Sequence, residues 1–329
     1  EAAGHNFKAS VTMTTEITKS LTERKSLNST AYAATAAASN RKLREEKKRR
    51  EAAALADIIK AQRPAQARRL ERAKSTGAWL TTRPDRLNGT DLTADEFRDN
   101  LRLRYGLSPN NLPAHCTGCN ARFSVEHATS CKKGGLITQR HNDVAAEWHE
   151  LCAQAFTRSA VTDEPRINTA RPRPSTTTLT EPSPEIRGDI AVHGFWRHGT
   201  DAIFDVRITD TDAPSYRGKD PAKVLAKHEE EKKSKYAASC ESNRQHFTPL
   251  VFSVDGLHGS EAKAAGKRLA ARLAGKWHRP YSAVCGYVRS KLAIALARSS
   301  SRCLRADRSP LFRTPHTPWE SGAGLALLR

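Results

Sequence analysis

Three cysteines and a histidine fall within the sixteen residues CTGCNARFSVEHATSC (116–131), in a chain with only seven cysteines among 329 residues. The spacing is Cys-x2-Cys-x7-His-x3-Cys, formed by Cys116, Cys119, His127 and Cys131. A two-residue gap lets one turn present two thiolates to a single ion, and a second short gap supplies the other pair. Gly118 suits such a turn. Three thiolates and one imidazole complete a tetrahedral zinc shell, so the expected role is structural and no water is activated there. His115 adjoins Cys116 and would be a strained ligand, ranked below His127. Reading these residues as merely reduced, buried cysteines leaves the tight spacing unexplained. The other four cysteines (Cys152, Cys240, Cys285, Cys303) are scattered singly. That excludes a disulfide framework and suits a reducing compartment with one metal site.

Around this cluster the chain divides by composition. Residues 1–30 are rich in Ser and Thr and read as a disordered tail. Residues 31–74 are rich in Ala, Arg, Lys and Glu and read as a basic helical arm broken at Pro64. Within it, Arg41, Lys42, Arg44, Lys47, Lys48, Arg49 and Arg50 form either a solvated charged face or a nucleic-acid-contacting arm. Residues 75–115 read as a helical linker. Its helix has Thr93 or Asp91 as cap, a stripe of Leu92, Phe97, Leu101 and Tyr105, and a stop at Gly106. Residues 116–142 hold the metal cluster and an Arg-His-Asn run. A helix from about 142 to 156 follows, with Val144, Trp148, Leu151 and Cys152 on one face. A Pro/Thr/Arg-rich loop spans 165–184.

Beyond it the pattern turns to strands, RGDIAVHGFW and TDAIFDVRIT, separated by a hairpin signal. A helix capped by Asp220-Pro221, a buried strand over 247–254 and helices near 260–275 and 281–299 complete a domain over 143–299. Residues 300–329 read as a disordered tail. The expected class is α+β: a helical or disordered arm, a small knuckle, and a mixed sheet flanked by helices. No run of about 18 apolar residues is present and no signal-peptide core opens the chain, so no membrane partner is expected.

Lys and Arg outnumber Asp and Glu by 55 to 35, a net charge of +20. Such a surplus points to a polyanionic partner, nucleic acid first, against the alternative of a solvated basic surface. Two acids stand where a surface seldom puts them. Asp189 opens one strand and Asp205 sits inside the apolar run AIFDV. A carboxylate there is unfavourable unless something pairs with it. The pair is either structural or a Mg²⁺ site of a phosphodiesterase, and an odd register slip would send the two side chains to opposite faces. Lys232 and Tyr236 share a face of the following helix, on the stripe Leu225, His228 or Glu229, Lys232, Tyr236, Cys240.

Taken in order, the Cys-Cys-His-Cys cluster, Arg140-His141-Asn142, Asp189, Asp205 and Lys232-x3-Tyr236 resemble the C-terminal region of non-LTR retrotransposon proteins that carry a restriction-enzyme-like endonuclease. The resemblance covers about residues 76–300. It implies a PD-(D/E)xK nuclease that nicks target DNA to prime reverse transcription. Asp189 and Asp205 would hold Mg²⁺, Lys232 with Tyr236 would take the catalytic-lysine role, and the zinc knuckle with Arg140 and His141 would contact nucleic acid. DNA and element RNA are the implied partners, and the nucleus is the implied location. Two departures stand out: Gly188 replaces the usual Pro before the first Asp, which is expected to alter only a turn, and Arg207 replaces the Lys two positions after the second. No Tyr/Phe-x-Asp-Asp polymerase signature is present. The chain, which begins at Glu1, is therefore expected to be either a piece of a longer polyprotein with a reverse transcriptase upstream or a decayed copy. From the residues alone, a catalytically inactive zinc-containing nucleic-acid-binding remnant stays open beside the enzyme. Asn142 could equally cap the following helix, and His141 could pack beside the zinc site.

Overall fold

A computed structural model of the chain describes residues 37–57, 59–62, 64–167 and 186–309, with Lys19 and Thr35. The tail read at 1–30 (Lys19 apart), residues 168–184 of the loop, and residues 310–329 lie outside the described residues. The chain separates into two compact units, 1–63 and 64–329.

In the first unit, residues 37–57 form helix α1, as a run of strong helix formers should. All seven basic residues from Arg41 to Arg50 are exposed. Arg41, Lys47, Arg49 and Arg50 pair with Glu45, Glu51 and Glu46 one turn away. Such pairs contribute only about 0.3–0.5 kcal/mol each. Lys42, Arg44 and Lys48 have no acidic partner among the described residues.

The second unit opens with α2 (Pro64–Ala73), so Pro64 starts a helix rather than merely interrupting one. This moves the end of the expected arm from 74 back to 63. Arg72 explains why: it is buried, and its guanidinium holds both Asp212 and Asp255 of the second unit. Short α3 (Ala78–Thr81) and α4 (Ala94–Arg104) follow. Thr93 and Glu96 form a reciprocal capping box at the start of α4. The expected apolar stripe is only partly realised. Leu92 and Leu101 pack with Trp79, Ala293, Ile294 and Ala297, whereas Phe97 and Tyr105 are exposed.

The buried residue of α4 is Asp99, which accepts two bonds from Arg305 (2.6 and 2.8 Å) and one from Ser301 (3.1 Å). Arg305 is exposed, so removing Asp99 forfeits charge-assisted hydrogen bonds and the Ser301 acceptor without stranding a buried charge. Asp99→Ala is expected to lower the unfolding free energy by about 1.5–3 kcal/mol, read by urea titration. A loss below about 0.5 kcal/mol would show that solvent replaces the carboxylate.

Helix α6 (Leu136–Ala155) begins six residues before the expected start and buries Val144, Trp148, Leu151 and Cys152 completely. Asn142 therefore sits inside the helix and does not cap it. Strands β1 (Val161–Asp163), β2 (Ile190–His193), β3 (Asp201–Thr209) and β4 (His246–Ser253) form one mixed sheet in that order. The first two pairings are antiparallel. The pair β3–β4 is parallel, joined by the crossover helix α7 (Pro221–Ser242), whose cap Asp220 accepts from the Ala222 amide. β1, three residues long, has no counterpart in the sequence reading.

Alternation along β3 sorts the two faces of the sheet. Ala202, Phe204 and Val206 enter the large core built with α6, α8 (Ser260–Trp277) and α9 (Tyr281–Arg305). Ile203 enters a second core with Tyr236 and Cys240 of α7, and Asp205 and Arg207 pair with Lys232 and Glu231 of the same helix. Residues 300–309, expected to be tail, are ordered parts of the fold. Ser299, Ser300 and Ser301 are buried because their hydroxyls donate to the Leu296 and Val254 carbonyls and to Asp99. No described helix is long and apolar enough to cross a membrane.

Candidate functional site

The metal cluster forms as its spacing implies. Ser124 caps α5 (Val125–Ser130) by accepting from the His127 amide, and Cys131 follows directly as the C-cap. The left-handed position of the turn after the first two cysteines is taken by Asn120 (φ 59°), not Gly118. Gly118 is small for another reason: a Cβ there would lie 2.8 Å from the Cβ of Arg308. The ligand atoms of Cys116, Cys119, His127 and Cys131 all lie within 4.8 Å of one another, so these four could hold a metal ion. The sulfur–sulfur separations of 3.9 Å match the ~3.8 Å edge of a tetrahedron with Zn–S bonds of about 2.3 Å. Burial alone would push the Cys116 thiol up, but bonds from His127 and from the Gly118 and Cys119 amides bring it down to about 6. Burial pushes the Cys131 thiol up.

Arg308 closes this module, and nothing in the sequence signalled it. It is buried, its amide donates to Thr117, its guanidinium donates to the Ala128 and Cys303 carbonyls, and it lies over the Phe123 ring. Gly134 (φ 78°) lies against it, with room for no Cβ: one built there would be 2.6 Å from Arg308 Cβ and 2.7 Å from its Cα. Gly134→Ala combines backbone strain with that collision and is expected to cost about 1–3 kcal/mol in denaturant unfolding. Gly135→Ala, equally left-handed but uncrowded, should lose less. Equal losses would remove the packing argument.

The second cluster lies on the sheet. Ile190 pairs with Phe204 and the Asp189 amide donates to the Phe204 carbonyl (2.9 Å), which sets Asp189 opposite Asp205. Asp189 Oδ2 accepts from the Val206 amide (2.5 Å) and meets His141 Nε2 at 3.0 Å. Asp205 is buried, 5% exposed. The Lys232 ammonium lies 2.5 Å from Asp205 Oδ2, a close ion pair that gives this buried oxygen its charged partner. Burial, joined by the Asp189 charge, raises the Asp205 pKa against the opposing pull of Lys232 and His141. Burial would lower the His141 pKa, but Asp189 outweighs it and the net shift is upward. His141, Asp189, Asp205 and Lys232 thus form one polar site in which two adjoining carboxylates are flanked by a histidine and a lysine.

Some expected site residues stand elsewhere. Tyr236 is buried, its ring packed on Phe247 and 5.5 Å from the Lys232 ammonium, so it supports that lysine from below rather than joining the carboxylates. Arg140 is 3% exposed and donates to the Thr129 carbonyl. A side chain so buried is not presented to a phosphate, which corrects its expected nucleic-acid contact. It braces the Cys3His segment against the rest of the domain. His141 belongs to the carboxylate cluster rather than to a surface contact; the motif order drew attention to it, but no local spacing reveals a bond across 48 residues. Arg207, in the place of the usual lysine, pairs with Glu231 (2.7 Å). Gly188 does more than alter a turn: its amide donates to the Pro165 carbonyl, and a Cβ would lie 2.5 Å from Ile203 Cγ2.

The fold and the clusters define an α+β domain with a four-stranded mixed sheet and a Cys3His group able to hold a metal ion. No family model matches the chain, and no curated protein shows significant similarity to it.

Proposed function

We propose that this chain is a metal-dependent DNA endonuclease module of a non-LTR retrotransposon protein, acting in the nucleus on DNA and, with α1, on element RNA. The observation that carries the reading is the juxtaposition of Asp189 with the buried Asp205, itself ion-paired to Lys232. Two carboxylates brought together supply the oxygen ligands that a hard divalent cation takes. A mixed sheet carrying both acids, with the lysine on a crossover helix, is also the arrangement the resemblance implies.

Mg²⁺ held by Asp189 and Asp205 would polarise the scissile phosphate and make a bound water nucleophilic. His141 holds the Asp189 carboxylate in place, as partners beyond a metal's ligands commonly do. Lys232 orients the attacking water and places positive charge against the charge that develops on phosphorus oxygens. The water oxygen forms the new P–O bond, the bond to the 3′ oxygen breaks, and a 3′-hydroxyl primer is left. The Cys3His cluster would hold zinc and present no open position, so its part is to fix the strut that carries Arg140 and the start of α6. Incubating the protein with supercoiled DNA and Mg²⁺ or Mn²⁺ tests this reading: nicked circles are expected. Salt-sensitive binding without cleavage on varied targets would leave the inactive nucleic-acid-binding remnant instead.

A further inference from the structure

A cavity of about 260 Å³ opens between α8, α9 and the segment 75–78, away from the residues assigned above. Its floor is apolar, made by Ala262, Val288, Leu292 and Ala293. Its rim carries Lys263 and Lys267, one turn apart on α8, and Arg289 of α9. All three cations are exposed, and none has an acidic partner among the described residues. His258 lines the wall, its ring edge-on to Phe252 with centroids 4.9 Å apart. Burial, with Arg289 and Lys263 adding to it, lowers the His258 pKa to about 4, so its ring is neutral at pH 7 and the cavity's positive charge lies wholly on the rim.

Cations brought together from two helices without a counter-charge repel one another until an anion joins them. Gly266 sharpens the point. It lies in the interior of α8, where glycine weakens a helix by about 1 kcal/mol relative to alanine. A Cβ there would touch nothing, so no packing contact demands it. Gly275 and Gly286 are equally uncrowded, but Gly266 is the one of the three that lines the cavity. What the missing side chain does is keep the mouth open. The volume is below the roughly 300–1,000 Å³ usual for drug-sized ligands, which suits one ring system and its sugar.

We propose that this cavity seats a single nucleoside phosphate, its base on the apolar floor and its phosphate against Lys263, Lys267 and Arg289. None of these residues belongs to the carboxylate cluster, so the inference goes beyond the nuclease reading and stands apart from it.

Cys285 lines the cavity and is partly exposed, which makes its alkylation rate a built-in reporter. The full chain, with the Cys3His site loaded, is treated with iodoacetamide without added Mg²⁺ or Mn²⁺, so cleavage plays no part, and the Cys285 peptide is followed by mass spectrometry. A 5′-deoxynucleoside monophosphate or a short single-stranded DNA, at about ten times its dissociation constant, should slow the reaction about tenfold. Protection by the monophosphate identifies a free nucleotide as a source; protection by the strand alone identifies a nucleotide held within a chain. Inorganic phosphate should protect little. Gly266→Leu, or Gly266→Gln if the leucine variant aggregates, fills the cavity without altering charge. It should abolish protection while salt-sensitive DNA binding persists. Absence of protection by either ligand, equal protection by phosphate, or protection that survives in the filled variant would overturn the proposal.

Discussion

Asp205→Ala is expected to lower the nicking rate by on the order of 10³-fold or more while leaving duplex affinity nearly unchanged. Two features separate the effects. Asp205 is buried and faces α7, so it can contribute nothing to a phosphate contact on the surface. It also stands opposite Asp189, where the two carboxylates together would hold a cation. Asp205→Asn adds an independent reading. Because burial and Asp189 raise the Asp205 pKa in the folded state, the unfolded chain gives up this proton first as pH rises. Stability from this group is therefore full below the unfolded pKa near 4 and is lost as pH climbs through the raised folded value. At neutral pH the neutral asparagine removes that penalty, so without added Mg²⁺ the variant should melt at a higher temperature than wild type, and it should fail to cleave when Mg²⁺ is supplied. A variant that is inactive and less stable would mean that the carboxylate serves as a structural partner of Lys232, and the nuclease reading would weaken accordingly.

Removal of metal from the Cys3His cluster should have the largest effect on stability. Analysis is expected to return about one zinc per chain, and a strong chelator or Cys131→Ser should release it. Structural zinc contributes about 10–16 kcal/mol in isolated zinc-finger peptides, so the module has little reason to stay folded without it. Here the loss should spread. Thr129 donates to Asp210 just past β3 (2.7 Å), Arg140 donates to the Thr129 carbonyl, and His141 is the next residue. Chelation should therefore lower the melting temperature of the whole second unit and reduce cleavage even though no zinc ligand touches the carboxylates. A metal-free protein with an unchanged melting curve would refute the structural zinc assignment.

Much of the architecture was legible because it rests on local patterns. Alternation in RGDIAVHGFW and TDAIFDVRIT marks β2 and β3, Asp220-Pro221 marks the start of α7, and Val144, Trp148, Leu151 and Cys152 mark the buried face of α6. The metal ligands were legible for the same reason, since their spacing is itself the signal. What the sequence hid depends on distant partners. Ser300 and Ser301 look like tail because buried hydroxyls are recognisable only from the groups that accept from them. Arg140 looks like a phosphate contact because a buried guanidinium and an exposed one are the same letter. The register of β2 against β3, on which the carboxylate site depends, follows from packing on two faces of the sheet and not from the hairpin signal.

The contact of Arg308 with the Cys3His loop has a consequence for synthesis. Its four candidate ligands span sixteen residues and leave the ribosome together. Its closing residue is translated 177 positions after Cys131, once α9 is complete. The Cys3His loop is thus complete in sequence while the place beside Gly118 and Gly134 is still vacant, and it is sealed only when Arg308 arrives.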